Sequence, residues 1–206
     1  MAEQSTSGLV LRGLSVGELE ATDLQIATGE IVCLSGPSGC GKSRLLRAIA
    51  DLEPHCGSVL LGKQAQADLP AHQWRKAVMM VPAESHWWFE TVGEHFHHDQ
   101  QDALRALGIS PQAFEWPVAR LSSGEKQRLA VLRALQYKPH ALLLDEPTAN
   151  LDEDSTMQVE QWLCNQIRER LLPVLWVAHR EDQIQRVADR HFHIEDRRLQ
   201  PRELKP

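Results

Sequence analysis

Gly36-Pro37-Ser38-Gly39-Cys40-Gly41-Lys42-Ser43 decides the fold. It fits without exception the pattern of a glycine, four free positions and then Gly-Lys-Ser or Gly-Lys-Thr, the spacing of a phosphate-binding loop. Its surroundings agree. Ile31-Val32-Cys33-Leu34-Ser35 is a short apolar strand on one side, and on the other Lys42 to Leu52 sets Leu45, Leu46, Ile49 and Ala50 on one helical face. The glycines let successive backbone N–H groups turn toward one centre, and a helix starting near Lys42 adds its positive end. Gly36, Pro37, Ser38, Gly39, Cys40, Gly41, Lys42, Ser43 and Arg44 are the candidate phosphate-binding residues. Lys42 is expected to neutralise the β and γ phosphates, and Ser43 to offer a hydroxyl to Mg²⁺. Cys40 reads as a small residue at a variable position.

Two further apolar runs, Ala141-Leu142-Leu143-Leu144-Asp145 and Val174-Leu175-Trp176-Val177-Ala178, read as strands covered on both faces. A helix of roughly Ser155 to Arg170 between them repeats Val159, Leu163, Ile167 and Leu171 at four-residue intervals, which makes a right-handed βαβ unit. Asp145-Glu146 closes the first run, at the strand end where ligands bind in open α/β sheets. Asp145 is expected to hold Mg²⁺ with Ser43, and Glu146 to polarise an attacking water. His179 ends the next strand on the same edge and can reach the γ-phosphate or that water. The catalytic candidates are Lys42, Glu146 and His179, and the metal candidates are Ser43 and Asp145.

Elsewhere, Leu9 to Leu11 and Leu19 to Ile26 read as strands, Gly57 to Gly62 as a hairpin-like unit, and Val78 to Val81 as a buried strand stopped by Pro82. Thr91 to about Tyr137 is helical in pieces, broken at Gly108, Pro111 and Pro117. A length of 206 residues with 42% hydrophobic content suits a single domain. With 22 basic against 28 acidic residues, no nucleic acid is expected as the main partner. Cys33, Cys40, Cys56 and Cys164 form no CxxC pair, which favours a reduced, intracellular setting. Met1 to Ser7 shows no signal peptide, and no run approaches about 18 apolar residues. The chain reads as one that can dock on a membrane without crossing it.

Three more segments complete a pattern. Leu121-Ser122-Ser123-Gly124-Glu125-Lys126-Gln127-Arg128 is similar to the LSGGQ or LSGGE signature, Thr148-Ala149-Asn150-Leu151-Asp152 to the D-loop, and His179 to the switch histidine of one family. From about Leu9 to Leu199 the chain resembles the ATP-binding subunit of ATP-binding-cassette (ABC) transporters. The resemblance implies an α/β fold, a P-loop NTPase with an ABC-type nucleotide-binding domain over residues 8–200 and a short helical subdomain at about 84–137. It implies ATP and Mg²⁺ as ligands, and a homodimer in which Ser122 and the Gly124 N–H hold the γ-phosphate bound by the other subunit. It also implies a separately encoded integral membrane permease and a peripheral place on the cytoplasmic face of the inner membrane. Small bacterial cassettes assigned to iron or metal export show the nearest likeness, through Glu125 to Arg128 and Val174 to His179.

The chain departs from the family pattern at several positions. Ser123 replaces the first glycine of the signature pair, Ala83 falls at the Q-loop glutamine, and Val16 stands where an aromatic ring often stacks on adenine. Arg44 follows the P-loop serine in place of threonine, and Arg180 follows His179 in place of aspartate. Hydrolysis is therefore expected to be slow or strongly dependent on the partner. Alternatives are a soluble ATP-dependent switch of the same fold, or a regulatory module that scarcely hydrolyses. Trp87, Trp88, Phe89, Phe96 and Trp116 either fill the subdomain core or anchor the permease. His95, His98 and Asp99 share one helical face, better read as solvated than as a metal site.

Overall fold

Ile31–Ser35 forms the strand its apolar run implies, and all five of its residues are buried. In the computed structural model, which describes residues 8–97 and 100–204, the chain begins with β1 (Leu9–Val16), β2 (Leu19–Ile26), β3 (Ile31–Ser35) and α1 (Lys42–Ile49). There follow β4 (Cys56–Leu61), β5 (Gln64–Ala65), α2 (Ala71–Ala77) and β6 (Val78–Val81). Then come α3 (Gln101–Ala106), α4 (Ser123–Leu135), β7 (Ala141–Asp145) and α5 (Glu153–Glu169). The remaining elements are β8 (Val174–Val177), α6 (Glu181–Val187), β9 (Arg190–Glu195) and β10 (Arg198–Arg202).

A six-stranded sheet runs in the order β10-β9-β3-β8-β7-β6, parallel throughout except for the antiparallel edge strand β10. A smaller antiparallel sheet, β2-β1-β4-β5, covers part of one face. The central strands are apolar without a break because each feeds two cores by simple alternation. Val32 and Leu34, Ala141 and Leu143, and Leu175 and Val177 face the core shared with α1 and the small sheet. Ile31 and Cys33, Leu142 and Leu144, and Val174 and Trp176 face the core shared with α4, α5 and α6. The strand at Val78–Val81 is the sheet edge, and its Met79 and Met80 are only half-buried.

α1 stops at Ile49 rather than near Leu52. Asp51 takes a left-handed conformation (φ 59), and the N–H groups of Asp51 and Leu52 return to the carbonyls of Ala48 and Arg47. That is a Schellman closure made without glycine. The Gly57 to Gly62 unit is β4, which pairs with β5 across a tight turn and with β1 on its other side. The segment from Thr91 breaks where its prolines and glycine stand. Gly108 turns left-handed (φ 65) after α3, Pro111 opens a 3₁₀ turn capped by Ser110, and Pro117 precedes another at Val118–Arg120. This arm has a small core of its own, in which Val92, Leu104, Leu107, Ile109, Leu129 and Leu132 meet Val159 of α5. Among the described residues no helix is long and apolar enough to cross a membrane.

Candidate nucleotide site

The parallel sheet aligns the ends of β3, β7 and β8. Asp145 pairs with Val177, the Glu146 N–H donates to the Val177 carbonyl and the Ala178 N–H to the Leu34 carbonyl. The loop after Ser35, the acidic pair and His179 therefore share one edge. Gly36 is hemmed in: a Cβ there would lie 2.8 Å from Cys40 Sγ and 3.0 Å from the Ile194 carbonyl. Gly41 is the N-cap of α1 at φ 106, a conformation that side-chain-bearing residues avoid. Lys42 is buried, and its Nζ donates to the carbonyls of Gly36 (2.8 Å) and Pro37 (2.9 Å) while lying 4.0 Å from Cys40 Sγ.

Asp145 is 5% exposed, and its Oδ1 is buried without a hydrogen-bond partner. Burial pushes its carboxyl above the usual range, against the Ser43 hydroxyl, which favours the charged form; Glu146 raises it further, and Lys42 and His179 lower it. An orphaned buried carboxylate oxygen beside a hydroxyl is a donor set that fits a hard divalent cation. Ser43 and Asp145 would hold Mg²⁺ here. Glu146 is set differently. Its backbone is left-handed (φ 50), a strained geometry for glutamate. That turn brings Oε1 to 2.6 Å from His179 Nε2.

Beside this pair a cleft of about 220 Å³ is lined by Glu146, Thr148, Leu151, His179, Arg180 and Gln183, among others. Its floor is a buried polar network that sequence reasoning missed. Gln183 Nε2 donates to Thr148 Oγ1 (2.7 Å) and Glu160 Oε1 (2.8 Å), and Arg186 Nε donates to Glu160 Oε2 (2.9 Å). Glu160 borders the apolar stripe of α5 at Val159 and Leu163, a position where a carboxylate needs a partner; that was the available signal. At the cleft's rim Arg180 pairs with Asp182 (2.7 Å) and Glu153 (3.5 Å).

A family model described as "ABC transporter" matches residues 19–149. An aliphatic sulfonates import ATP-binding protein, SsuB 2 of Pseudomonas aeruginosa (strain UCBPP-PA14), is 38% identical over 200 residues, covering 91% of this chain and 72% of the relative. The chain belongs to the ABC transporter family. It is an ABC-type ATPase subunit. Solved structures agree on the fold. A bacterial Atm1-family ABC exporter with ATP bound matches at TM-score 0.85 and 24% identity, over 97% of this chain and 39% of the other. A dimeric ATP-binding cassette in a post-hydrolysis state, bound to ADP and Pi, matches at 0.82 and 22%, over 96% and 99%.

Within this ABC ATPase the remaining candidates fall into place unevenly. Val16 is 3% exposed and packs in the core beside Leu19. Arg44 leaves the phosphate loop. Its Nε is 2.6 Å from Glu53 Oε1, and its guanidinium lies against Gly17 in the β1–β2 turn. Ala83 follows β6, whose last residue Val81 pairs with Leu144, so it does stand beside the Asp145 strand. Gln127 Nε2 donates to the Pro82 carbonyl (3.2 Å) and ties that turn to α4.

Ser122 is the N-cap of α4, which starts at Ser123. The hydroxyl and N–H of Ser122 both donate to Glu125 Oε2 at 2.9 Å, and the Glu125 N–H returns to Ser122 Oγ at 3.2 Å. Its hydroxyl is thus engaged within its own helix. Ser123 sits exposed at the first helical position with an ordinary φ. Gly124 packs on the D-loop: a Cβ there would lie 2.8 Å from Leu151 Cδ2. Of the five arm aromatics, Trp87, Phe96 and Trp116 pack on the arm core, whereas Trp88 (62%) and Phe89 (48%) are exposed. His95 is buried with both ring nitrogens hydrogen-bonded to backbone, and His98 and Asp99 lie outside the described residues.

Proposed function

We propose that two copies of this ABC ATPase form a closed C₂ pair, the phosphate loop of each facing the N-terminus of α4 of the other, and power a separate membrane permease from the cytoplasmic face of the inner membrane. The observation that carries the chemistry is the 2.6 Å contact between Glu146 Oε1 and His179 Nε2 beside the buried Asp145. With the imidazole N–H donating to Oε1, the other carboxylate oxygen of Glu146 accepts the proton of the attacking water. His179 fixes the carboxylate's direction. Lys42, pinned by the loop carbonyls, places its ammonium against the phosphates, and the backbone N–H groups of the loop orient them. Mg²⁺, when held by Ser43 and Asp145, supplies charge neutralisation on the phosphate oxygens. Gly124 and the N-terminus of α4 offer backbone N–H groups to the partner's γ-phosphate. Trp88 and Phe89 are the permease contact.

Glu146→Gln keeps the side chain's shape and removes the base. Sedimentation with saturating ATP and Mg²⁺ should show that variant as a dimer and the parent as a dimer only transiently. A monomeric variant would limit pairing to the permease-bound state. The sulfonate-import relative favours a small organic anion as cargo over the metal export that Glu125 to Arg128 resembles. Growth of a deletion strain on an aliphatic sulfonate as sole sulfur source, compared with its tolerance of added iron, separates the two.

A further inference from the structure

The turn from Pro82 to Glu90 contains neither helix nor strand, so its N–H groups depend on side chains or water for partners. One side chain serves two of them. His95 is 3% exposed, and its Nε2 lies 3.1 Å from the backbone nitrogens of both Trp88 and Phe89. Its Nδ1 is 3.0 Å from the Thr91 carbonyl oxygen. A carbonyl only accepts and a backbone N–H only donates. The surroundings therefore fix one neutral tautomer, with the proton on Nδ1 and Nε2 bare.

The same ring is the hub of three consecutive aromatics. Its centroid is 4.8 Å from Trp87, 4.9 Å from Trp88 and 5.0 Å from Phe89, with interplanar angles of 71°, 66° and 65°. All three are edge-to-face contacts. The hub is anchored in turn. The His95 N–H donates to the Val92 carbonyl, and Nε2 of Gln136, the C-cap of α4, donates to the His95 carbonyl at 2.9 Å. Beyond the rings, the Arg133 guanidinium of α4 lies 4.4 Å from the centroid of Trp87 and 4.7 Å from that of Trp88.

We propose that His95 is a positioning residue, whose bare Nε2 holds the 87–89 turn so that Trp88 and Phe89 stand out as a preformed contact for the permease. This rests on the reading of those two rings as the permease contact. Preformation has a physical purpose. Two large rings on an irregular turn would otherwise lose side-chain and loop entropy on docking. The device also has a proton dependence. The charged groups facing the ring are Arg133 from α4 and Glu94 from the adjoining 3₁₀ turn; burial, with Arg133 adding to it, holds the imidazole below its ordinary range. A proton on Nε2 would replace the acceptor by a third donor facing two N–H groups, and the turn would have to open.

Amide exchange of the full chain, followed by NMR at Trp88 and Phe89, tests the hub. His95→Ala should speed both amides by at least about tenfold at neutral pH, the scale of one lost hydrogen bond, while the amides of β7 keep their protection. His95→Gln presents an amide oxygen near the place of Nε2; it should restore much of the protection and abolish its pH dependence. In the parent, both protection factors should fall along a single titration below the usual imidazole range. Trp88 and Phe89 amides that exchange as slowly in His95→Ala as in the parent would overturn the proposal. The second arm is ATP hydrolysis stimulated by the membrane permease that co-purifies with the chain from detergent extract, reconstituted in liposomes. Loss of stimulation in both Trp88→Ala and His95→Ala supports the proposal. Loss in Trp88→Ala alone, with the amides of His95→Ala open, would overturn the need for preformation. Full stimulation in both variants would overturn the docking reading and leave the hub standing.

Discussion

The sheet edge that carries Asp145, Glu146 and His179 and the arm that reaches from Thr91 to Leu135 are built by different means. At the edge, β3, β7 and β8 each send alternate residues into two cores, so their register is fixed along their whole length. Asp145, Glu146 and His179 inherit their places from that register. In the arm, regular structure is scarce: α3 has six residues, and three 3₁₀ turns do much of the rest. Single side chains hold the pieces together. Arg128 Nη1 donates to the Leu107 carbonyl (2.9 Å), Gln158 Nε2 to the Ala106 carbonyl (3.0 Å), and His95 and Gln136 lock the aromatic turn. The acidic pair and His179 therefore ride on strand register, while the aromatic turn rides on a handful of hydrogen bonds.

The sharpest way to break that contrast is through rates. Glu146→Gln should lower kcat for ATP by about 10²–10⁴-fold, the span of a lost general base, with nucleotide binding retained in an equilibrium titration. An equal loss from a single arm substitution would dissolve the distinction. Next in size is packing. Leu143 and Leu104 are both fully buried, and Leu143→Ala should cost about 2–5 kcal/mol in denaturant unfolding. Leu104→Ala should instead raise amide exchange across the arm while β7 stays protected. Equal acceleration in both regions would make them one cooperative unit.

Ser122→Ala removes the cap of α4 and should cost about 1 kcal/mol, read as a lower unfolding midpoint with unchanged slope. A neutral result would show the capping box to be idle. The smallest effect is expected in mild acid. Burial holds both His95 and His191 below the ordinary imidazole value. The unfolded chain then binds protons first, so their contribution is complete above the unfolded value near 6.5 and is lost as pH falls through the folded one. Unfolding midpoints measured from pH 7 to 5 should decline, and His95→Gln should flatten part of that decline.

How much was legible follows the same division. The phosphate loop, the two-faced strands and the acidic pair could be read because each is local in sequence and repeats a fixed period. The end of α1 could not. Leu52 continues the apolar pattern, and nothing marks Asp51 as the residue that turns left-handed. The burial of Val16 is not legible in the sequence because it depends on the irregular β1–β2 pairing, which shifts register twice before Val16 meets Leu19. Ser122 was open to two readings, since Ser-Ser-Gly-Glu is a capping box as well as an anion-binding turn. Gln183 and His95 were invisible as linchpins. Their partners sit on Thr148 and Glu160 in the first case and on backbone nitrogens of an irregular turn in the second.

The position of β3 between β8 and β9 has a consequence for the order in which the molecule is made. The phosphate loop is translated early, yet both strands that flank its own lie far downstream, and the Ile31 N–H donates to Asp189, 158 residues later. A nascent chain holding only the first half of this sequence carries the binding motif without the walls that shape it. Such long-range pairing is slow to find. Until β8 and β9 leave the ribosome, Ile31 to Leu34 is an apolar segment in need of cover, and a nucleotide cannot serve as an early template for folding.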